Sequence, residues 1–364
     1  MAYLMKFEII PAAWFSGQSS FVLLLITVAA FVVLIRAADL LVDNASALAY
    51  RIGMPKVIVG ATIVSLGTTS PEAAVSVMAA WDGKPGFALG NAVGSIVADT
   101  GLIFGIGCLM MARLPVDRFV VNRQGWVQFG AGLALVGFCY AAYWHHGADA
   151  QLARWVGFVF LGALVAYMYA SVRWARQRTR AESSSGNTSE GATSGQSFVL
   201  FLLLALGLLL VLASSEVLIK TVSELARQFQ VQEVVIAGTI VALGTSLPEL
   251  MVAIKSIRKN HPDLLIGNVI GADVLNVFFV VGASAAVVPL PIVTTTTELP
   301  DGSLVATKLP EVFLYVHLPA MLVILVLFRF FIASACRTGH FQRWQGAPLV
   351  GLYVAYVIVQ YAVS

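Results

Sequence analysis

Two short stretches put an acid where the chain is otherwise apolar: GTTSPE at residues 67–72 and GTSLPE at residues 244–249. Glu72 is the single charged residue between positions 57 and 81, and Glu249 the single one between 234 and 254. Each follows a proline, Pro71 or Pro248, which removes a backbone donor and loosens the preceding helical turn. The loosened turn frees carbonyls such as those of Ser65, Leu66, Ala242 and Leu243 for a cation. Thr68 and Thr69, like Thr245 and Ser246, stand four and three residues ahead of their glutamate and share its helical face. A carboxylate, two hydroxyls and loosened carbonyls are hard oxygen donors, which select Na⁺, Ca²⁺ or Mg²⁺; the lack of nearby Cys or His argues against Zn²⁺ and Cu²⁺. A plain proline kink explains one such motif, but not an adjacent glutamate twice.

A second polar pair follows each motif at helical spacing, Ser95 with Asp99 and Ala272 with Asn276. GNAVG (90–94) and GNVIG (267–271) precede these pairs, with glycines spaced for close helix packing. Glu72, Asp99 and Glu249, without a lysine or arginine in the same motifs, suit a cation and disfavour an anion. Ca²⁺ accepts six to eight oxygens in flexible geometry, whereas Mg²⁺ gives up water reluctantly. The remaining interior polar residues read as structural. Asn91 and Asn268 are helix-to-helix glue, Arg36 pairs with Asp39, Asp43 reaches the interface and Glu216 pairs with Lys220. Asp273 points off the Asn276 face as an interhelical partner. His145 and His146 belong to an interfacial loop, and His317 is a satisfied packing residue, a proton-linked role being the alternative.

These residues must be held by membrane helices. Hydrophobic residues make up 59% of the 364 and charged ones 11%, with a mean hydropathy of +0.87, so water is not the solvent for most of the surface. At about 20 apolar residues per span, spans are predicted at 20–41, 55–80, 86–112, 125–144, 152–173, 197–219, 231–256, 263–288, 310–333 and 346–362. An unpaired ionised carboxylate at that depth costs about 2.5–3.5 kcal/mol or more, so Glu72 and Glu249 need a cation or a proton. The start of the chain lacks signal-peptide features and no cleavage is expected. Cys108, Cys139 and Cys336 match no metal spacing and read as packing residues.

Ten spans put both termini on one side. Placing them outside leaves 15 Lys and Arg in the inside loops against 6 outside, the asymmetry expected of this orientation. The net charge of +3 therefore reflects topology rather than a nucleic-acid surface. A Ser-, Gly- and Thr-rich stretch divides the chain into residues 1–173, a flexible cytoplasmic linker at 174–196, and residues 197–364. The halves match at an offset of 177 positions: Glu72 falls on Glu249, GNAVGS on GNVIGA and Asp39 on Glu216. Five spans separate equivalent positions, an odd number, so the copies enter the membrane from opposite sides. The predicted fold is an all-α polytopic membrane protein of ten transmembrane helices in two inverted five-helix repeats, with a site near the midplane. Duplication that yields only a symmetric bundle is the alternative, and the buried acids weigh against it.

GTTSPE with GNAVGS, and GTSLPE with GNVIG, resemble the two alpha-repeats of the calcium/cation antiporters, the superfamily of the Na⁺/Ca²⁺ exchangers. The resemblance covers both halves. It implies ten helices, alternating access around a central ion cluster, and first and sixth helices that slide as a gating pair. It further implies Glu72 and Glu249 as principal ligands of Ca²⁺ and Na⁺, and hydroxyl or carbonyl oxygens from Thr68, Thr69, Thr245 and Ser246. Backbone carbonyls of Ser65 and Ala242 join these, and Ser95, Asp99 and Asn276 complete the sites. The chain departs from the family pattern at Ile96, Ala272 and Asp273, and carries Asp99 and Asn276 where many relatives have Asn and Asp.

The expected function is a cell (inner) membrane antiporter that expels Ca²⁺ in exchange for Na⁺, working as a monomer in the lipid bilayer, without a cofactor and without nucleic acid. Ca²⁺/H⁺ exchange on the same residues is the alternative, since H⁺ needs only a carboxylate. A channel would not require an inverted repeat. No nucleophile and base constellation or nucleotide loop is present, which argues against an enzyme or an ATP-driven pump.

Overall fold

A computed structural model describes residues 11–51, 54–81, 85–183, 194–229, 246–293, 295–298, 304–307 and 313–363. Helix α1 runs Ser20–Arg51. Helix α2 joins Lys56–Val59, Gly60–Val64 in π geometry and Ser65–Trp81. Helix α3 joins Pro85–Val97, the π segment Ala98–Ile103 and Phe104–Met110. Helices α4 (Arg118–His146) and α5 (Arg154–Ser183) follow, then α6 (Ser194–Gln228) and α7 (Leu247–Arg258). Helix α8 joins Pro262–Leu275, the π segment Asn276–Val281 and Gly282–Val287. Helix α9 joins Phe313–His317 and Leu318–Thr338, and α10 is Gly346–Val363. Three two-stranded antiparallel ribbons sit between helix ends: β1 (Arg113–Pro115) with β6 (His340–Gln342), β2 (Gln151–Leu152) with β3 (Leu290–Pro291), and β4 (Thr295–Glu298) with β5 (Leu304–Thr307).

Among the described residues seven helices are long and apolar enough to cross a membrane, and Lys56–Ser70 and Glu72–Trp81 are shorter apolar helices. The chain is a helical, multi-pass membrane protein. Its centre is α8: 94% of its apolar window is buried, against 28% in α1, α5 and α6. The outer helices turn large apolar side chains such as Phe21, Leu24, Phe158, Phe201 and Leu209 away from the protein, as a lipid-facing surface requires. Helices α1 and α6 pack along one another; a Cβ on Gly207 would lie 2.9 Å from the Leu41 nitrogen.

Backbone-to-backbone packing also joins α8 to α2. A Cβ on Gly60 would stand 2.8 Å from the Leu264 carbonyl, one on Gly271 2.5 Å from the Ala61 carbonyl and the Ser65 Oγ, and one on Gly267 would run into Val57. The GNVIG glycines therefore do the packing that their spacing predicts. The π segments Ala98–Ile103 and Asn276–Val281 recur 178 positions apart, within one residue of the motif offset.

Several expectations are corrected. Helix α5 continues past residue 173, where the linker was expected to begin, to Ser183; WARQRTRAES contains no helix breaker, and Arg178 Nε pairs with Asp117 at 2.9 Å while Arg123 donates to Gln177 at 3.0 Å. His145 and His146 close the last turn of α4 instead of forming a loop. Asp39 does not pair with Arg36. It meets Lys255 at 2.9 Å and Lys259 at 3.3 Å, because α7 presents two ammonium groups to the face of α1 that carries the acid. Glu216 and Lys220 do pair, at 2.7 Å. Cys108, Cys139 and Cys336 are free thiols.

Candidate ion-binding site

The irregular backbone of the first motif lies ahead of the proline. Ser65–Trp81 is one α-helix through Pro71, and the π segment ends at Val64. The widened turn displaces carbonyls upstream of Pro71, and tertiary contacts take some of them up: the Tyr167 hydroxyl of α5 donates to the Ala61 carbonyl at 3.2 Å. Leu66 is not a free carbonyl, since the Ser70 hydroxyl donates to it, and the Ser65 carbonyl accepts from Thr68 at 3.3 Å. In the second motif Pro248 falls in the first turn of α7, where a missing N–H costs nothing. Ala242, Leu243 and Thr245 lie outside the described residues. Ser246 is the N-cap of α7, its hydroxyl capping no backbone N–H.

The other candidate ligands are all buried: Ser65, Thr68, Thr69, Glu72, Ser95, Asp99, Ser246, Glu249 and Asn276. The two halves are interleaved. The helix of Glu72 contacts the π segment that begins at Asn276, and the helix of Glu249 contacts the π segment that contains Asp99. The Thr68 side chain of the first motif lies beside the Glu249 carboxyl of the second. Glu72 feels the charge of Glu249, and Asp99 feels the charges of Glu249, Asp273 and Glu72.

Six of these residues carry a buried oxygen without a hydrogen-bond partner among the described residues: Ser65 Oγ, Thr69 Oγ1, Glu72 Oε2, Asp99 Oδ1, Glu249 Oε2 and Asn276 Oδ1. A buried acceptor left unmatched costs about 1–3 kcal/mol, more if charged, and Glu72 and Asp99 have other acids as neighbours. A positive charge would compensate the carboxylate oxygens among them. Among the described residues no three His, Cys, Asp or Glu form a metal-holding group by themselves, so hydroxyl and amide oxygens must complete any coordination shell. That requirement matches a hard cation bound by mixed oxygen donors.

The model of the sodium/calcium exchanger protein family matches residues 22–173 and 199–362. The chain belongs to that family. It is an exchanger family, of transporters rather than enzymes. The inner membrane protein YrbG of Escherichia coli is 32% identical across 70% of this chain and 76% of its own. The sodium/calcium exchanger MaX1 of Methanosarcina acetivorans is 26% identical across 92% and 97%. The solved sodium/calcium exchanger from Methanococcus jannaschii superposes with a TM-score of 0.74 at 21% identity, covering 93% of this chain and 99% of that one. In this exchanger-family chain the motif acids Glu72, Asp99 and Glu249 are buried within the bundle.

Sequence reasoning missed the network behind the candidate site. Thr100 and the Gln128 amide both donate to Asp273 Oδ2, and Gln128 also reaches Thr100 at 3.2 Å. Asp273 is thus the interhelical partner that its helical position suggested, and the partner was recognisable as an amide in the apolar run of α4. Asn91 donates to Ser76 at 3.0 Å, the glue expected of it. Asn268 is fully buried with neither side-chain atom matched among the described residues. His317 Nδ1 lies 2.6 Å from the Tyr356 hydroxyl, satisfied as expected.

Proposed function

We propose that this exchanger expels Ca²⁺ in exchange for Na⁺ by alternating access at a carboxylate site near the membrane midplane. The observation that carries the reading is the set of unmatched oxygens on Glu72, Asp99, Glu249 and Asn276, drawn from both halves. Glu72 and Glu249 are the principal ligands. Thr68, Thr69, Thr245 and Ser246 supply hydroxyl or carbonyl oxygens, Ser65 and Ala242 carbonyls, and Ser95, Asp99 and Asn276 complete the shell. The architecture we assign is ten spanning helices in two inverted five-helix repeats, 1–173 and 197–364, joined by the segment 174–196. It lies in the cell (inner) membrane with both termini outside, works as a monomer and needs no cofactor.

Coupling follows from charge. An occupied site presents little net charge and can pass an apolar barrier, while an empty one holds three carboxylates and resists the passage. Exchange is thereby favoured over leak. Ca²⁺/H⁺ exchange is the second reading, motivated by Asp273, a further buried acid with one unmatched oxygen. The deciding experiment is ⁴⁵Ca²⁺ uptake into proteoliposomes loaded with Na⁺ or with acid. Uptake driven by Na⁺ and lost in Glu72→Gln and Glu249→Gln supports the first reading. Uptake driven only by acid moves the assignment to H⁺, and uptake under neither gradient removes Ca²⁺ as the substrate.

A further inference from the structure

Away from the helix core, the β1–β6 ribbon borders a cavity of about 690 Å³ lined by Leu109, Ala112, Arg113, His340, Gln342, Arg343 and Trp344. The ribbon register sets Arg113 opposite Gln342, so the two halves of the chain contribute cationic groups to one hollow. Neither Arg113 nor Arg343 has an ion-pair partner among the described residues. The Trp344 ring is 56% exposed while its indole N–H donates to the Gln342 side-chain oxygen, which fixes the ring beside the opening. The cavity lies where the apolar runs of α3 and α9 end, at Met110 and Thr338. Tryptophan at that level is characteristic of the boundary between hydrocarbon and headgroups.

The lining is two-faced. Two guanidinium groups offer planar donor forks that match phosphate oxygens and a histidine and an amide add further polar groups, while Leu109, Ala112 and the Trp344 ring offer apolar surface. A free inorganic anion would use only the first set; an amphiphile would use both. We propose that this cavity binds the phosphate of an anionic phospholipid headgroup, with Arg113 and Arg343 as its two principal ligands and the apolar wall beside the glycerol and upper acyl chain. The site is independent of which ions the exchanger moves.

The test uses the full-length protein in detergent with equimolar short-chain phosphatidylglycerol and phosphatidylcholine, followed by native mass spectrometry of the retained lipid. Wild type should retain phosphatidylglycerol in preference, and each of Arg113→Gln and Arg343→Gln should reduce that preference about fivefold, the factor for one basic residue at a membrane surface. Melting in lipid-free detergent checks that the variants are folded. Arg173→Gln, which removes an exposed charge elsewhere, should leave the preference unchanged. An equal loss in Arg173→Gln would reduce the effect to general charge and overturn the site, as would full retention in Arg113→Gln/Arg343→Gln. Millimolar inorganic phosphate should not displace the lipid; complete displacement, together with stabilisation of the protein by phosphate alone, would assign the cavity to a free anion and overturn the lipid.

Discussion

Lys255 Nζ stands 2.9 Å from Asp39 Oδ2 and so ties α1 of one half to α7 of the other. Lys259 adds contacts of 3.3 Å to Asp39 and 2.6 Å to Asp43. The equivalent positions differ in sequence. Glu216, the counterpart of Asp39, takes Lys220 from its own helix at 2.7 Å, and Met78 and Asp82 occupy the positions that correspond to Lys255 and Lys259. One end of α1 is therefore anchored across the halves by charge.

Removing the anchor should loosen α1 selectively. In Lys255→Met/Lys259→Met, amide hydrogen exchange across residues 37–48 should rise while the rest of the bundle keeps its protection. Breaking a buried pair costs about 3–5 kcal/mol; with the Asp39 side chain 28% exposed, solvent screening reduces that to about 1–2 kcal/mol. Unaltered exchange over 37–48 would show that the pairs do not hold the helix.

The anchor should also be indifferent to mild alkali. Burial lowers the Lys259 pKa, but the hydrogen bond and charge of Asp43, followed by those of Asp39, outweigh it, and the net shift is upward from 10.5. A raised lysine contributes stability that is complete below its unfolded pKa and lost only as pH climbs through the folded one. Exchange over residues 37–48 should therefore stay flat up to about pH 9 once corrected for intrinsic rates. A steep rise below that pH would contradict the assignment.

Acid should act elsewhere, at the loop before α8. His261 Nδ1 lies 2.8 Å from Lys56 Nζ, and burial first, then the Lys56 charge, push the imidazole below its ordinary 6.5. A depressed histidine contributes stability that is present above 6.5 and lost as pH falls through the folded value. Melting temperature should fall on acidification in wild type, and the acid-dependent part should shrink in His261→Gln. Parallel curves for the two proteins would remove His261 as the cause.

Close packing gives a sharper pair of substitutions. Gly271→Ala puts a methyl 2.5 Å from the Ala61 carbonyl and 2.6 Å from the Ala61 Cα, backbone atoms that cannot rotate away, and should cost about 1–3 kcal/mol or more and impair transport. Gly137→Ala, on α4 with nothing within 4 Å of the added carbon, should instead gain about 0.5–1 kcal/mol from helix propensity. Thermal melts of the two side by side decide it, and similar values would refute the packing of α8 on α2.

Helix existence and the buried polar motifs were readable because an acid or a proline inside a long apolar run has few structural explanations, and because each motif occurs twice. The location of the backbone irregularity was not. A π segment at Gly60–Val64 contains no residue that forbids α geometry; it depends on what stands opposite, including the Tyr167 hydroxyl. Asp39 likewise had a plausible partner in its own helix, and a lysine 216 residues away took it, which local spacing cannot report. Gln128 was visible as an amide in an apolar run, yet its role depended on Asp273 lying across from it.

Glutamine at the two central acids should separate binding from folding. Glu72→Gln and Glu249→Gln remove a buried charge that has no basic partner in its motif, and with it the repulsion between the two carboxylates. Each ion-free variant should therefore melt at or above wild type, the reverse of the usual outcome for a buried substitution. Ligand should act oppositely. At about 100 times its dissociation constant, Ca²⁺ adds about 2.7 kcal/mol to a protein that binds only when folded, so wild type should show a clear upward shift in melting temperature and both variants should lose most of it. A variant that is destabilised without ions would mean that the glutamate holds the fold by contacts of its own. A variant that keeps the full Ca²⁺ shift would mean that the ion sits elsewhere.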